Sequence, residues 1–175
     1  MSLMPSPEHR RLLIVWHSRT GASRQLAEQA GEGARQVLEE LQERERIQVR
    51  LLGCEQTGAE DLLQAQAYLF CAPENLGSLS GAMKEFFDRL YYAVLDQLNG
   101  RPYGALISAG SDGRGALTQL ERICTGWRLE AAWPGRIFNF QAQTPEAILA
   151  PKHLSAEQRQ EARQAGAHLA ALLCL

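Results

Sequence analysis

The sequence of 175 residues has almost no net charge, no long apolar run and no paired cysteines, and each absence removes a class of function. A formal net charge of −2 leaves no electrostatic footprint for nucleic acid or for an anionic membrane. No apolar stretch approaches the roughly 18 residues needed to cross a bilayer, which argues against membrane insertion. The opening residues lack the basic-then-apolar order of a signal peptide. Cys54, Cys71, Cys124 and Cys174 are widely spaced with no C-x-x-C, so they read as reduced, buried thiols. A cytoplasmic location follows by default. Three signatures are missing too. Gly21-Ala22-Ser23-Arg24 has no Gly-Lys-Ser/Thr, which disfavours a nucleoside triphosphate with magnesium. No strand runs into G-x-G-x-x-G, and Gly77-Ser78-Leu79-Ser80-Gly81 has leucine where a serine hydrolase needs its nucleophile.

What remains is a soluble globular chain, 45% apolar and 22% charged, of one-domain length. Residues 1–10, rich in proline and serine, read as a disordered tail, and 11–175 as a single domain. Leu12 to Trp16 is a continuous apolar run, as in a parallel strand buried on both faces. Leu26, Ala30, Ala34, Leu38 and Leu41 then recur at helical spacing opposite a charged face. Ile47, Val49 and Leu51 alternate as in an edge strand, and Glu60 to Gln66 reads as a short helix capped near Thr57. Ala67 to Ala72 is a central strand, followed by a helix opening near Ser80 with Met83, Phe86, Phe87 and Leu90 inward. Gly104 to Ala109 is a fourth strand, followed by a helix with Leu117, Leu120, Cys124 and Trp127 inward. Ile137 to Gln143 is a fifth strand and Ser155 to Cys174 a closing helix, with Trp133-Pro134 turning the chain before that strand.

Strand and helix alternate five times, which predicts an α/β three-layer sandwich around a five-stranded parallel sheet. The two strands with most alternation, the second and the fifth, are edges in the order 2-1-3-4-5. Ligands of such sheets lie beyond the carboxyl ends of the strands, where the order reverses. Three loops converge there. Ser18, Arg19, Thr20, Gly21, Ala22 and Ser23 combine three hydroxyls with a helix start, whose free N–H groups and positive dipole end suit a phosphate. In Pro73, Glu74, Asn75, Leu76, Gly77 and Ser78 the proline and glycine shape a loop whose backbone can meet a flat ring edge. Ala109, Gly110, Asp112 and Gly113 sit in a glycine-rich loop that permits close approach, with Asp112 either bonding a ring or capping the next helix.

The Ser18-x-Thr20-Gly21-x-Ser23 loop resembles the phosphate loop of flavodoxins and their reductase relatives. Pro73-x-x-x-Gly77-x-x-Ser80-x-x-x-Lys84-x-Phe86-Phe87-Asp88 resembles the corresponding segment of NAD(P)H-dependent FMN reductases of the flavodoxin-like superfamily. The resemblance implies a flavodoxin-like fold, FMN as cofactor and NADH or NADPH as electron donor. It implies an oxidoreductase that passes two electrons to a small-molecule acceptor such as a quinone or a flavin. The alternative is a one-electron carrier. Carriers of this fold sandwich the ring between aromatic side chains and present a strongly acidic face. Neither the second nor the third loop holds Trp, Tyr or Phe, and the charge is only −2. A signalling receiver would need an acidic cluster after the first strand, where Trp16-His17 stand instead. No side chain is required as acid or base, so none is nominated. Lys84 and Asp88, at i and i+4, read as a surface ion pair. His17, His153 and His168 read as structural, without metal-ligand spacing. Tyr91 and Tyr92 cannot both face the core, which leaves one for a subunit contact in a homodimer.

Overall fold

A computed structural model describes residues 9–175. Its elements are β1 (Arg10–Trp16), α1 (Ala22–Glu40), β2 (Ile47–Gly53), α2 (Ala59–Leu63), β3 (Ala67–Asn75), β4 (Ser78–Leu79), α3 (Gly81–Val94) and β5 (Pro102–Ala109). The chain then runs through α4 (Arg114–Gly126), β6 (Glu130–Ala131), β7 (Arg136–Asn139), α5 (Pro145–Leu149) and α6 (Ala156–Leu172). Most of the tail assigned to residues 1–10 lies outside the described residues. Arg10 is a correction to it: it opens β1 opposite Ile47, and its guanidinium donates to the Leu173 carbonyl at 2.6 Å.

The sheet runs β2-β1-β3-β5, with β6 and β7 sharing the last position, and every one of these pairings is parallel. This is the order 2-1-3-4-5 with its fifth strand broken in two. Pro134 has no N–H to give to the ladder, and Gly135 packs so tightly that an added Cβ would lie 2.5 Å from Leu117. The residues between β6 and β7 therefore leave the sheet. The predicted fifth strand, 137–143, is also too long. It ends at Asn139, and Gln141 takes a positive φ of 50°.

Period-two alternation divides the core between the two faces of the sheet. Leu13, Val15, Phe70, Ala72 and Ile107 pack with Phe86, Phe87 and Trp127 under α3 and α4. Leu12, Ile14, Leu69, Cys71 and Leu106 pack with Ala30, Ala34, Ala165 and Leu169 under α1 and α6. Helices α1 and α6 touch through backbone, because Gly33 lies against the Arg163 carbonyl and Gly166 against that of Ala30. The short helix α2 is capped by Gly58, whose N–H donates to Asp61; the Thr57 hydroxyl goes to the Gly53 carbonyl instead. Lys84 and Asp88 form the expected exposed pair at 2.7 Å. Among the described residues, no helix is long and apolar enough to cross a membrane.

Candidate functional site

The carboxyl ends of β1, β3 and β5 open into a cleft of about 650 Å³, within the usual range for a small-molecule or cofactor site. Its floor and one wall come from the phosphate-type loop. Gly21 caps α1 with φ 95°, a left-handed conformation that glycine adopts without strain, and no side chain caps the helix. The N–H groups of the first turn are therefore left for a ligand. The Ser18 Oγ accepts from the Gly21 N–H at 3.1 Å, which keeps its own proton free to donate outward. Arg19, Thr20 and Ala22 line the cleft beside it.

Ser23 is a correction. The whole residue is buried, its hydroxyl bonds that of Ser108 at 2.8 Å, and it does not line the cleft. That buried pair fastens the first turn of α1 to the end of β5. Arg24 also points away, paired with Glu28 at 2.9 Å and lying over the Trp16 ring.

The second loop is tighter than its sequence suggests. β3 runs on through Asn75 and folds back at Leu76-Gly77, both with positive φ, into an antiparallel hairpin with β4. Pro73, Glu74 and Asn75 line the cleft, whereas Leu76 stands fully exposed at the turn and Gly77 and Ser78 lie on its outer side. The hairpin is held from behind by the Gln119 amide oxygen, which accepts from the Leu79 N–H at 2.7 Å. Glu74 Oε2 is buried with no donor from the protein. An acceptor left without a partner this close to a cleft is a feature that a ligand's N–H would satisfy.

The third loop corrects two further expectations. Asp112 neither caps α4 nor enters the cleft; it pairs with Arg114 at 2.7 Å in solvent, and Gly113 is the cap, with φ 87°. Gly113 is required because a Cβ would meet Ile137 at 2.5 Å. Ala109 and Gly110 do line the cleft, and the close approach that Gly110 permits is to the Ala142 carbonyl.

Seven further residues outside the nominated site line the cleft with these loops: His17, Ser108, Phe140, Ala142, Ile148, Leu149 and Lys152. Phe140 and Ala142 are brought in because the chain beyond β7 bonds back to Ala109 and Gly110, each at 2.8 Å. Ile148 and Leu149 sit on α5, a helix of one and a half turns that begins with the Thr144 cap and Pro145. That Thr-Pro start was the available signal. His17 Nδ1 lies 2.8 Å from the Ser80 Oγ. Burial, reinforced by the nearby Arg19 charge, holds its pKa below the usual imidazole value, so it is neutral at pH 7. Since the folded state binds this proton less readily than the unfolded one, stability falls as pH drops below the ordinary imidazole pKa. His17→Asn is expected to flatten the melting temperature between pH 7 and 5, a comparison that thermal melts in matched buffers make directly.

Burial pushes the Cys54 thiol up to about 11 and raises those of Cys71 and Cys124 as well, so none of the three is a thiolate near neutrality. Among the described residues no cluster of side chains is arranged to hold a metal.

A parallel sheet in this order, with an uncapped helix and hydroxyl-rich loop at its switch point, defines a flavodoxin-like protein. The sequence matches the NADPH-dependent FMN reductase family over residues 17–144, and the chain belongs to that family. It is 31% identical over 105 residues to a flavodoxin of Aquifex aeolicus (strain VF5), a match covering 60% of this chain and 53% of that protein. The chain thus matches about half the length of that relative. Among solved structures, a flavodoxin from the domain Archaea superposes with a TM-score of 0.70 at 14% identity, covering 94% of this chain and 99% of that one. A WrbA-like flavodoxin from Agrobacterium tumefaciens does so with a TM-score of 0.66 at 20% identity, covering 93% and 96%. At those identities the likeness is one of fold.

FMN binding is typical of this family, and the residues present fit it. The phosphate end offers free hydroxyls and first-turn amides, and the ring end offers a slot with an unsatisfied acceptor.

Proposed function

We propose that the chain is an NAD(P)H-dependent oxidoreductase that passes electrons from NADH or NADPH through FMN to a small-molecule acceptor such as a quinone or a flavin. Bound FMN would supply the two-electron chemistry. The protein's part is to bind, orient and limit access. The Ser18 and Thr20 hydroxyls and the first-turn amide of Ala22 would hold the phosphate. The Pro73–Asn75 stretch would border the ring edge, and Ala109-Gly110 would let the backbone come close on the other side. Neutral His17, fixed by Ser80, would present its Nε2 to the cleft without adding charge.

The observation that carries the reading is the cleft's open side. Neither flavin-facing loop puts an aromatic ring there; among the described residues Phe140 is the single Phe, Tyr or Trp in the lining, and the mouth is bounded by Ile148 and Leu149, 52% and 77% exposed. An uncovered apolar mouth favours a nicotinamide and then a flat acceptor taking turns against one face. Of the two tyrosines on α3, Tyr92 at 83% exposure is the one that would meet a second copy in a homodimer.

The second reading, a one-electron carrier, is favoured by the identity to the Aquifex aeolicus flavodoxin. Steady-state assays separate the two. FMN-loaded protein is expected to oxidise NADPH or NADH with a quinone or free FMN as acceptor, with protein-dependent turnover. Absence of turnover with every such pair leaves the carrier.

A further inference from the structure

We propose that Lys152 is the cation that makes the cleft prefer a phosphorylated flavin to the neutral one. The inference rests on the FMN reading and assigns a specificity residue outside all three loops. The phosphate-type loop contains no lysine, and the structure brings one to it from more than 120 residues downstream.

Lys152 is fastened to the loop through its backbone. Its N–H donates to the Thr20 carbonyl at 2.8 Å, and its carbonyl accepts from the Gln25 Nε2 at 2.7 Å. The same Gln25 nitrogen donates to the Gly21 carbonyl at 3.0 Å, so loop and lysine share one bracket. The ammonium is equally fixed. It donates to the carbonyls of Ala147 (2.7 Å), Ile148 (3.1 Å) and Ala150 (2.6 Å), closing the C-terminus of α5.

All three partners are neutral. Among the described residues no carboxylate lies within 4.0 Å of the ammonium, so Lys152, which lines the cleft, brings it a positive charge without a counter-ion. The other cations near the loop are placed differently. Arg24 is committed to Glu28 and to the Trp16 ring. Arg19 lines the cleft but is exposed and makes no hydrogen bond among the described residues, so its charge is screened by solvent and held by no partner. A preorganised, half-buried charge acts on a phosphate dianion more strongly than a free surface side chain does. A neutral ribityl alcohol gains nothing from it.

The test compares FMN and riboflavin binding to the wild type, Lys152→Gln, Lys152→Arg and Arg19→Gln, by flavin fluorescence at two salt concentrations. Lys152→Gln is expected to weaken FMN roughly tenfold, with riboflavin unchanged within about twofold. The salt dependence of FMN binding should also become shallower, and Lys152→Arg should restore most of the preference. Parallel loss of both flavins would show that Lys152 only braces α5, and would overturn the proposal. So would an unchanged FMN affinity, with the preference lost in Arg19→Gln instead. Wild type that binds neither flavin would sink the FMN reading itself, an outcome distinct from the other two.

Discussion

Gly115→Ala is expected to weaken FMN binding by roughly 30-fold, about 2 kcal/mol, in a protein that still folds. A Cβ at this position in the first turn of α4 would lie 1.9 Å from the Gly77 carbonyl oxygen and 3.7 Å from Glu74 Oε2. Neither α4, whose first turn packs Ala116 into the core, nor the short turn can absorb that overlap in a side-chain rotation. The hairpin must swing outward by more than an ångström, and it carries Glu74 and Asn75 with it. Ångström-scale misplacement of positioning groups is enough to lose this much complementarity. The turn is exposed, so the fold absorbs the movement. FMN titration of wild type and variant checks the prediction; equal affinities would mean that the hairpin does not touch the cofactor.

Gly166→Ala is expected to have the larger effect on stability, a loss of about 3 kcal/mol, or roughly 6–12 °C in melting temperature for a chain of this size. The added methyl would stand 1.9 Å from the Ala30 carbonyl oxygen and 2.5 Å from its carbon. Both are backbone atoms of α1, so the two helices must separate along the whole α1–α6 seam. Gly126→Ala is the internal control, because nothing lies within 4 Å of its added methyl and the residue is helical. It is expected to be neutral or stabilising by up to about 1 kcal/mol. A melting temperature for Gly166→Ala within 2 °C or so of wild type would contradict the packing described for the seam.

The sheet and its order were legible because the central strands are unbroken apolar runs and the edges alternate, which is a direct consequence of burial on two faces or one. The phosphate-type loop was legible by position, since it follows the first buried strand. Its individual residues were less so. Ser18 and Ser23 look alike in sequence, yet one faces the cleft and the other bonds Ser108 in the core, because successive positions entering a helix point in different directions. Asp112 was given a ring or a cap, and a two-residue ion pair with Arg114 took it instead. Apart from His17 and Ser108, the residues missed lie after Asn139, where the fifth strand stops early and the chain crosses back over the sheet's carboxyl end. Contacts between Lys152 and Thr20 depend on that crossing, and no local periodicity encodes it.

FMN held in this cleft would lie where a nicotinamide can reach it. The most direct measurement is anaerobic rapid mixing of FMN-loaded protein with excess NADPH or NADH, followed by flavin absorbance near 450 nm. The oxidised flavin band is expected to be lost in a single saturable phase with at least one of the two nucleotides. No bleaching with either nucleotide, in protein that dithionite reduces in two resolved one-electron steps, would contradict it.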